Sequence, residues 1–270
     1  MTRAPATNLL NFTPAPGAGD NNMGTIYVLW LRQLKRYWRS KARIIGSIGQ
    51  PLLFLVALGL GFGPIYEKAG GGNYIQFLAP GVVAMAVVFS AMFFGMEVIW
   101  DRQFGFLKET LVAPVSRADI MIGRTLGGAT VASAQGLIVL IISLIAGFRP
   151  ESLLAVFLSV LFMFIIAVLF TALGTAIASQ MEDMHAFPLI MNFLVMPMFF
   201  LSGSIFPLNN LPGAIQTIAA MNPLAYGVDL LRYALSAQTH YSLGLNLTVI
   251  IGADILLLAV GSYLFSKVEV

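Results

Sequence analysis

Three polar side chains lie within apolar runs of the sequence, and they are the residues that could do chemistry inside a membrane: Glu97, Asn192 and Asp254. A carboxylate held in hydrocarbon is costly and often marks a functional site. Asp254 stands about midway along its run, where it could carry a proton or could be protonated and hydrogen-bonded to a neighbouring Ser or Thr. The sequence leaves both interpretations open.

Glu97 and Asn192 each have a structural interpretation beside a functional one. Glu97 is near the end of its apolar run, so we expect it to pair with a basic group such as Arg102 or Arg124 rather than to meet a substrate. For Asn192, a hydrogen bond that bridges two helices is favoured over a substrate contact.

Several kinds of catalytic site are missing from the sequence. The chain has no Cys, and its two His residues, His185 and His240, are isolated, so we expect neither thiol chemistry nor a metal site. A phosphate-binding P-loop requires GxxxxGK[ST], and the sequence contains no Gly-Lys dipeptide. We therefore expect no catalytic residue and no ATP hydrolysis by this chain.

The composition is that of a protein embedded in lipid. Of the 270 residues, 58% are hydrophobic and only 10% are charged, and the mean hydropathy is +0.86. Soluble domains carry about 25% charged residues. The sequence therefore predicts an all-α polytopic membrane protein, with membrane lipids around it and no nucleic-acid partner.

Apolar runs and polar breaks divide the chain into three parts. Residues 1–22 predict a disordered cytoplasmic tail, residues 23–43 an interfacial amphipathic helix, and residues 44–266 a transmembrane domain. A crossing needs about 20 apolar residues. The segments that meet this length are about 44–63, 75–99, 120–147, 152–179, 186–206 and 246–265, with a loop at 100–119 and a mixed region at 207–245.

The distribution of Lys and Arg predicts the orientation. If the amino terminus is cytoplasmic, twelve of the fifteen Lys and Arg residues lie inside, and only Lys68, Arg149 and Arg232 lie outside. Cytoplasmic loops of membrane proteins carry this excess of cations. We therefore expect a multi-pass protein of the cell membrane with both termini in the cytoplasm.

The helix predicted at 23–43 alternates aromatic and basic residues. Its apolar residues recur every three to four positions, with cations between them, which is typical of a helix lying in the headgroup layer. The residues expected to anchor it there are Trp30, Arg32, Lys35, Arg36, Trp38 and Arg39.

The longest charged segment between apolar runs is Asp101–Arg124, with four cations and three anions. Such a segment cannot lie in hydrocarbon, so it predicts a loop at one membrane face. Within it, residues 103–112 favour a short amphipathic helix that Pro114 ends. Ser116 then predicts an N-cap for the next spanning helix, with Asp119 completing a capping box.

The segment DRQFGFLKETLVAPVSRADIMIGRTL resembles the cytoplasmic loop of ABC type-2 permeases, the membrane subunits of drug, lipid and polysaccharide exporters. Two further motifs are similar to that family in the same order. MPMFFLSGSIFPLNNLP (196–212) resembles the external end of its fifth span. Asn222-Pro223-Leu224-Ala225-Tyr226, with the segment 229–232 after it, resembles the motif that follows.

The resemblance implies an interfacial helix, six spans, and short re-entrant helices between the fifth and sixth. It also implies two permeases, identical or paralogous, assembled with two nucleotide-binding subunits that hold ATP and Mg²⁺. The residues that it assigns to docking of the ATPase subunit are Phe106, Leu107, Glu109, Pro114 and Arg117. The implied activity is ATP-driven export of an amphiphilic or hydrophobic cargo, such as a drug, a lipid or a lipid-linked glycan.

Two other functions remain as alternatives at this stage. A proton- or ion-coupled secondary transporter would use Asp254 and Glu97 and would need no ATPase. A membrane scaffold without transport activity would bind no ATPase subunit at all.

Overall fold

The computed structural model describes residues 22–106, 115–210 and 212–267, and over these residues the chain is helical, as predicted. The helices are α1 (Asn22–Arg39), α2 (Lys41–Lys68), α3 (Tyr74–Gln103), α4 (Arg117–Ile145), α5 (Leu153–Ser179), α6 (Ala186–Phe200), α7 (Gly213–Ala220), α8 (Pro223–Ser236) and α9 (Leu243–Ser266), with a short 3₁₀ helix at Leu208–Asn210.

Five of the described helices are long and apolar enough to cross a membrane. They are Ile44–Lys68 within α2, and the whole of α3, α4, α5 and α9. The segment predicted as a further span, 186–206, forms the 15-residue helix α6 and then a series of turns. At about 1.5 Å per residue, α6 is roughly 22 Å long, which is shorter than the hydrocarbon core of about 30 Å.

Helix α3 lies at the centre of the bundle, and 94% of its most apolar window is buried. It packs against α2, α4 and α5. The closest approach is to α5, where Gly95 faces Gly174. A Cβ added to Gly95 would meet the carbonyl oxygen of Gly174, and one added to Gly174 would lie 2.8 Å from the carbonyl oxygen of Met92. Glycine at these positions therefore lets the two backbones touch.

Replacing Gly95 with Ala is expected to destabilise the bundle by about 1–3 kcal/mol, since the added methyl group meets backbone that cannot rotate away. Gly252→Ala is the matched control, because a Cβ there has nothing within 4 Å. Thermal unfolding of the purified protein measures both. Equal unfolding temperatures for the two variants would contradict the close packing of α3 on α5.

The bundle has two ends of different character. The charged end comprises α1, the described parts of the α3–α4 connection, the α5–α6 turn and the end of α9, joined by hydrogen bonds such as Gln180 Nε2 to Leu264 O, 3.3 Å. The opposite end comprises 69–73, 146–152, 201–209, α7 and 237–242, where Tyr74 donates to Ile205 O at 3.1 Å. Among described cations, only Lys68, Arg149 and Arg232 belong to the opposite end, as the charge distribution predicted.

Candidate functional site

Five charged side chains from three helices form a cluster at the charged end, which we call the ion-pair cluster: Arg32 and Arg36 of α1, Glu97 and Asp101 of α3, and Arg124 of α4. Arg32 Nη2 lies 3.3 Å from Asp101 Oδ1. Arg36 Nη1 lies 3.4 Å from Asp101 Oδ1 and 3.6 Å from Glu97 Oε2. Arg124 Nη2 donates to Asp101 Oδ2. Asp101 is therefore the hub at which α1, α3 and α4 meet.

The centre of the cluster is sealed from solvent. Glu97 is 1% exposed, Asp101 2% and Arg124 4%. Nε and Nη1 of Arg124 have no hydrogen-bond partner among the described residues, and its ion pair is with Asp101. Removing one member of a buried ion pair leaves an uncompensated charge, which is strongly destabilising. The cluster therefore couples the positions of its three helices.

Two glycines of α4 bring α1 close enough to make these contacts. A Cβ on Gly123 would lie 3.0 Å from Leu29 Cβ, and one on Gly127 would lie 2.7 Å from Gln33 Cβ. The spacing of four residues places both glycines on one face of α4. Beside them, Trp30 Nε1 donates to Thr130 Oγ1 at 3.0 Å. Helix α1 therefore packs directly against α4.

The end of α3 also holds the turn between α5 and α6. Arg102 Nη1 donates to Met181 O at 3.2 Å, and Gln103 Nε2 donates to Glu182 O at 3.1 Å. Hence α1, α3 and α4, the α5–α6 turn and the start of the α3–α4 connection are joined by polar contacts. A displacement of that connection would reach all of them.

The α3–α4 connection enters α4 through an N-cap at Ser116. Ser116 Oγ accepts from Asp119 N at 3.0 Å and donates to Asp119 Oδ2 at 2.6 Å. The first contact satisfies a backbone N–H group of the first turn of the helix, and the second joins the two side chains. The N-cap that the sequence predicted at Ser116 is confirmed, and it fixes the end of the connection to α4.

A cleft of about 680 Å³ lies between α1 and the start of the connection. Its walls include Val28, Leu31, Lys35, Phe104 and Phe106. Phe104 is 71% exposed and Phe106 is 51% exposed. Exposed aromatic rings next to cations are characteristic of a surface that a protein partner covers.

Of the residues predicted to dock an ATPase subunit, Phe106 and Arg117 are described, and both lie at the charged end beside this cleft or next to the Ser116 cap. The predictions for Leu107, Glu109 and Pro114, and most of the helix predicted at 103–112, fall outside the described residues. Their docking role stays a prediction.

The residues predicted as membrane anchors divide into two groups. Lys35, Trp38 and Arg39 are exposed, Trp38 at 81%. Trp30, Arg32 and Arg36 contact protein through Thr130, Asp101 and Glu97. Contact with lipid headgroups stays a prediction for the six residues, and three of them have an additional structural role.

The three intramembrane polar residues have different surroundings. Glu97 pairs with Arg36 of α1, a partner that the sequence did not identify. The pair forms because α1 packs against the end of α3. Arg102 points away from Glu97 and donates to Met181 O. Asn192 is exposed on α6. Asp254 is half-buried on α9, and its Oδ1 atom has no hydrogen-bond partner among the described residues, so a bond to Ser or Thr is not seen there.

Sequence reasoning missed the ion-pair cluster, although a signal for it exists. Arg32 and Arg36 are spaced i, i+4 on α1, and Glu97 and Asp101 have the same spacing on α3. Residues four apart share one face of a helix, so two such faces of opposite charge are complementary. The spacing did not reveal that the two helices are neighbours.

Comparisons with known proteins agree with this architecture. Residues 25–236 match the family model of the ABC-2 type transporter. The chain is 29% identical over 228 residues to nodulation protein J of Rhizobium leguminosarum bv. viciae, covering 82% of this chain and 87% of that protein. It is 30% identical over 217 residues to a protein named as a transport permease, ycf38, of Porphyra purpurea, covering 78% and 74%.

A second protein with the ycf38 name, from Cyanophora paradoxa, is 25% identical over 263 residues, which cover 90% of this chain and 88% of that protein. The family match therefore extends from α1 to the end of α8 and includes the ion-pair cluster. On this combined basis, the chain belongs to the ABC-2 type transporter family of membrane permeases.

Proposed function

We propose that this chain is the transmembrane permease subunit of an ATP-driven exporter, with its charged end in the cytoplasm. The observation that carries the proposal is the ion-pair cluster, which joins α1, α3 and α4 at the point where the α3–α4 connection begins. A soluble ATP-binding subunit that moves this connection would displace three packed helices together. The chain itself would bind neither ATP nor Mg²⁺.

The transmembrane path would be completed by α6 and the turns after it. We assign 186–206 as the fifth span in chain order and α9 as the sixth, with α7 and α8 between them as short re-entrant helices of the opposite end. Asn222 supports this arrangement, since it caps α8 through Leu224 N and donates to Met198 O of α6 at 2.6 Å. Irregular backbone at membrane depth is tolerated where protein surrounds it.

A second permease, either a copy or a paralogue, would cover α6. Asn192 and Phe193 are exposed there, and Phe193 is 84% exposed. An aromatic ring facing lipid is ordinary, but an amide facing hydrocarbon is unfavourable. The exposed Asn192 therefore favours a protein neighbour or a hydrated pathway along this helix.

The cargo would be amphiphilic, such as a drug, a lipid or a lipid-linked glycan. A groove of about 490 Å³ between α2, α3 and α4 supports this class. Phe89, Phe93 and Phe94 line it together with Ser90 and Gln135. Nε2 of Gln135 is buried without a hydrogen-bond partner among described residues, so the groove contains an unsatisfied donor within a largely aromatic wall.

The test is reconstitution in lipid with the ATP-binding subunit that accompanies this permease. We expect the two proteins to co-purify and the ATPase activity to rise when amphiphilic cargo is added. Transport by the permease alone, with no ATPase subunit bound and no dependence on ATP, would contradict the proposal.

A proton- or ion-coupled carrier is the second candidate, and the unpartnered Oδ1 atom of Asp254 is the observation that favours it. Under our proposal, Asp254→Asn should transport close to the wild-type rate, because the carboxylate is not part of the ion-pair cluster. If Asp254 carried a coupled proton, its loss should slow transport by about a hundredfold or more. Rates measured with and without a proton gradient separate the two functions.

A further inference from the structure

The cation Arg232, on α8 at the opposite end of the bundle, is buried without an anionic partner. The residue is 8% exposed. Nη2 donates to Gly203 O at 2.8 Å, and the guanidinium carbon lies 4.2 Å from the centre of the Phe77 ring. Nε has no hydrogen-bond partner, and no carboxylate of the described residues lies within ion-pairing distance of it.

The nearest candidate for a counter-ion, Asp229, is already satisfied. Its carboxylate accepts from Thr239 Oγ1 at 2.8 Å, His240 N at 2.8 Å, Tyr241 N at 2.9 Å and Asn246 Nδ2 at 2.8 Å. Three of these bonds hold the segment before α9 onto α8, and the fourth, from Asn246, joins α9 to α8. Asp229 is thus committed to closing that loop, although its charge still contributes to the field around Arg232.

Burying a cation whose only partners are one carbonyl and one ring is energetically unfavourable unless an anion completes its environment. Burial lowers the pKa of Arg232 to about 10, so its guanidinium remains charged at neutral pH. Among the described residues, this charge is offset by the Gly203 carbonyl, the Phe77 ring and the field of Asp229, and its Nε–H group has no acceptor.

A cavity of about 190 Å³ lies against this guanidinium. Its other polar walls include Asn209, Gln238, Thr239 and His240, together with Asp229, whose carboxylate oxygens are taken up by the four hydrogen bonds above. The guanidinium fork matches the oxygens of a phosphate or a carboxylate. From the buried unpartnered cation and the cavity beside it, we propose that the opposite end of the bundle binds a phosphate group at Arg232, carried by a lipid headgroup or present as the free ion.

This proposal does not depend on transport, because binding is measured on the purified full-length permease alone. Thermal unfolding is followed in an uncharged detergent at constant ionic strength, with inorganic phosphate in one arm and short-chain phosphatidylglycerol in the other. We expect a saturable rise in unfolding temperature in at least one arm. A rise in both arms identifies the phosphate group itself as the ligand, and a rise with the lipid alone identifies a headgroup.

Two variants test the role of Arg232. In Arg232→Gln, the apparent affinity should fall at least about tenfold, as expected when one partner of a buried charge pair is removed. Gln238→Glu should do the same by placing a carboxylate at the cavity wall, and because Gln238 is exposed this variant keeps the fold even if Arg232→Gln does not. Lys68→Gln removes an exposed cation from the same end and should bind like the wild type.

Absence of any response in the wild type would overturn the proposal. A response that Gln238→Glu retains in full would also overturn it, because the anion would then be binding elsewhere on the protein.

Discussion

Asp101→Asn is expected to reduce the free energy of unfolding by about 3–5 kcal/mol, the cost of breaking a buried ion pair. The neutral amide has the same shape but leaves Arg124 buried at 4% exposure with no anion in contact. Arg32 and Arg36 would suffer less, because their side chains are 38% and 36% exposed and water can solvate them. Unfolding of the purified protein in detergent measures the loss.

Two comparisons separate this effect from a general change of charge. Glu182→Gln, at an exposed carboxylate of the same end, should unfold like the wild type. Adding Arg124→Met to Asp101→Asn should recover part of the lost stability, since the double variant buries no unpaired cation. An Asp101→Asn protein as stable as Glu182→Gln would show that the cluster does not hold the three helices together.

Hydropathy and capping patterns in the sequence predicted the features that depend only on residues close together in the chain. Long apolar runs became helices close to the predicted positions, as in α3 and α5. The cap at Ser116 was predictable because Ser and Asp three residues apart satisfy each other through groups within one turn. Neither feature requires knowledge of which helices are in contact.

Features that depend on packing were not predictable in this way. The amphipathic pattern of α1 indicates two faces, but it does not say that Arg36 meets Glu97 instead of lipid headgroups. Likewise, the apolar run at 186–206 does not indicate that α6 ends at Phe200. Gly203, in the turns after α6, adopts φ +77°, a left-handed conformation through which a helix cannot continue. Hydropathy carries no information about backbone geometry.

Replacement of Phe104 and Phe106 by Ser is expected to uncouple the permease from its ATP-binding subunit. Both rings are largely exposed beside the cleft of the charged end, so the change leaves the buried bundle intact. Exposed aromatic rings at the centre of an interface carry much of its binding energy, and losing two of them should weaken binding of the ATPase subunit by at least about tenfold. The affinity of the detergent-solubilised subunits and the cargo-stimulated ATPase rate both report it.

The same substitution at the other end of the molecule is the control. Ile218 and Met221 are exposed at 54% and 81%, and changing both to Ser removes a similar apolar surface far from the α3–α4 connection. This variant should retain both the subunit affinity and the stimulated ATPase rate. A different result would be a Phe104 and Phe106 variant that unfolds like the wild type and keeps its full cargo-stimulated ATPase rate. The ATP-binding subunit would then have to act on the bundle at another site, and the ion-pair cluster would only stabilise the fold.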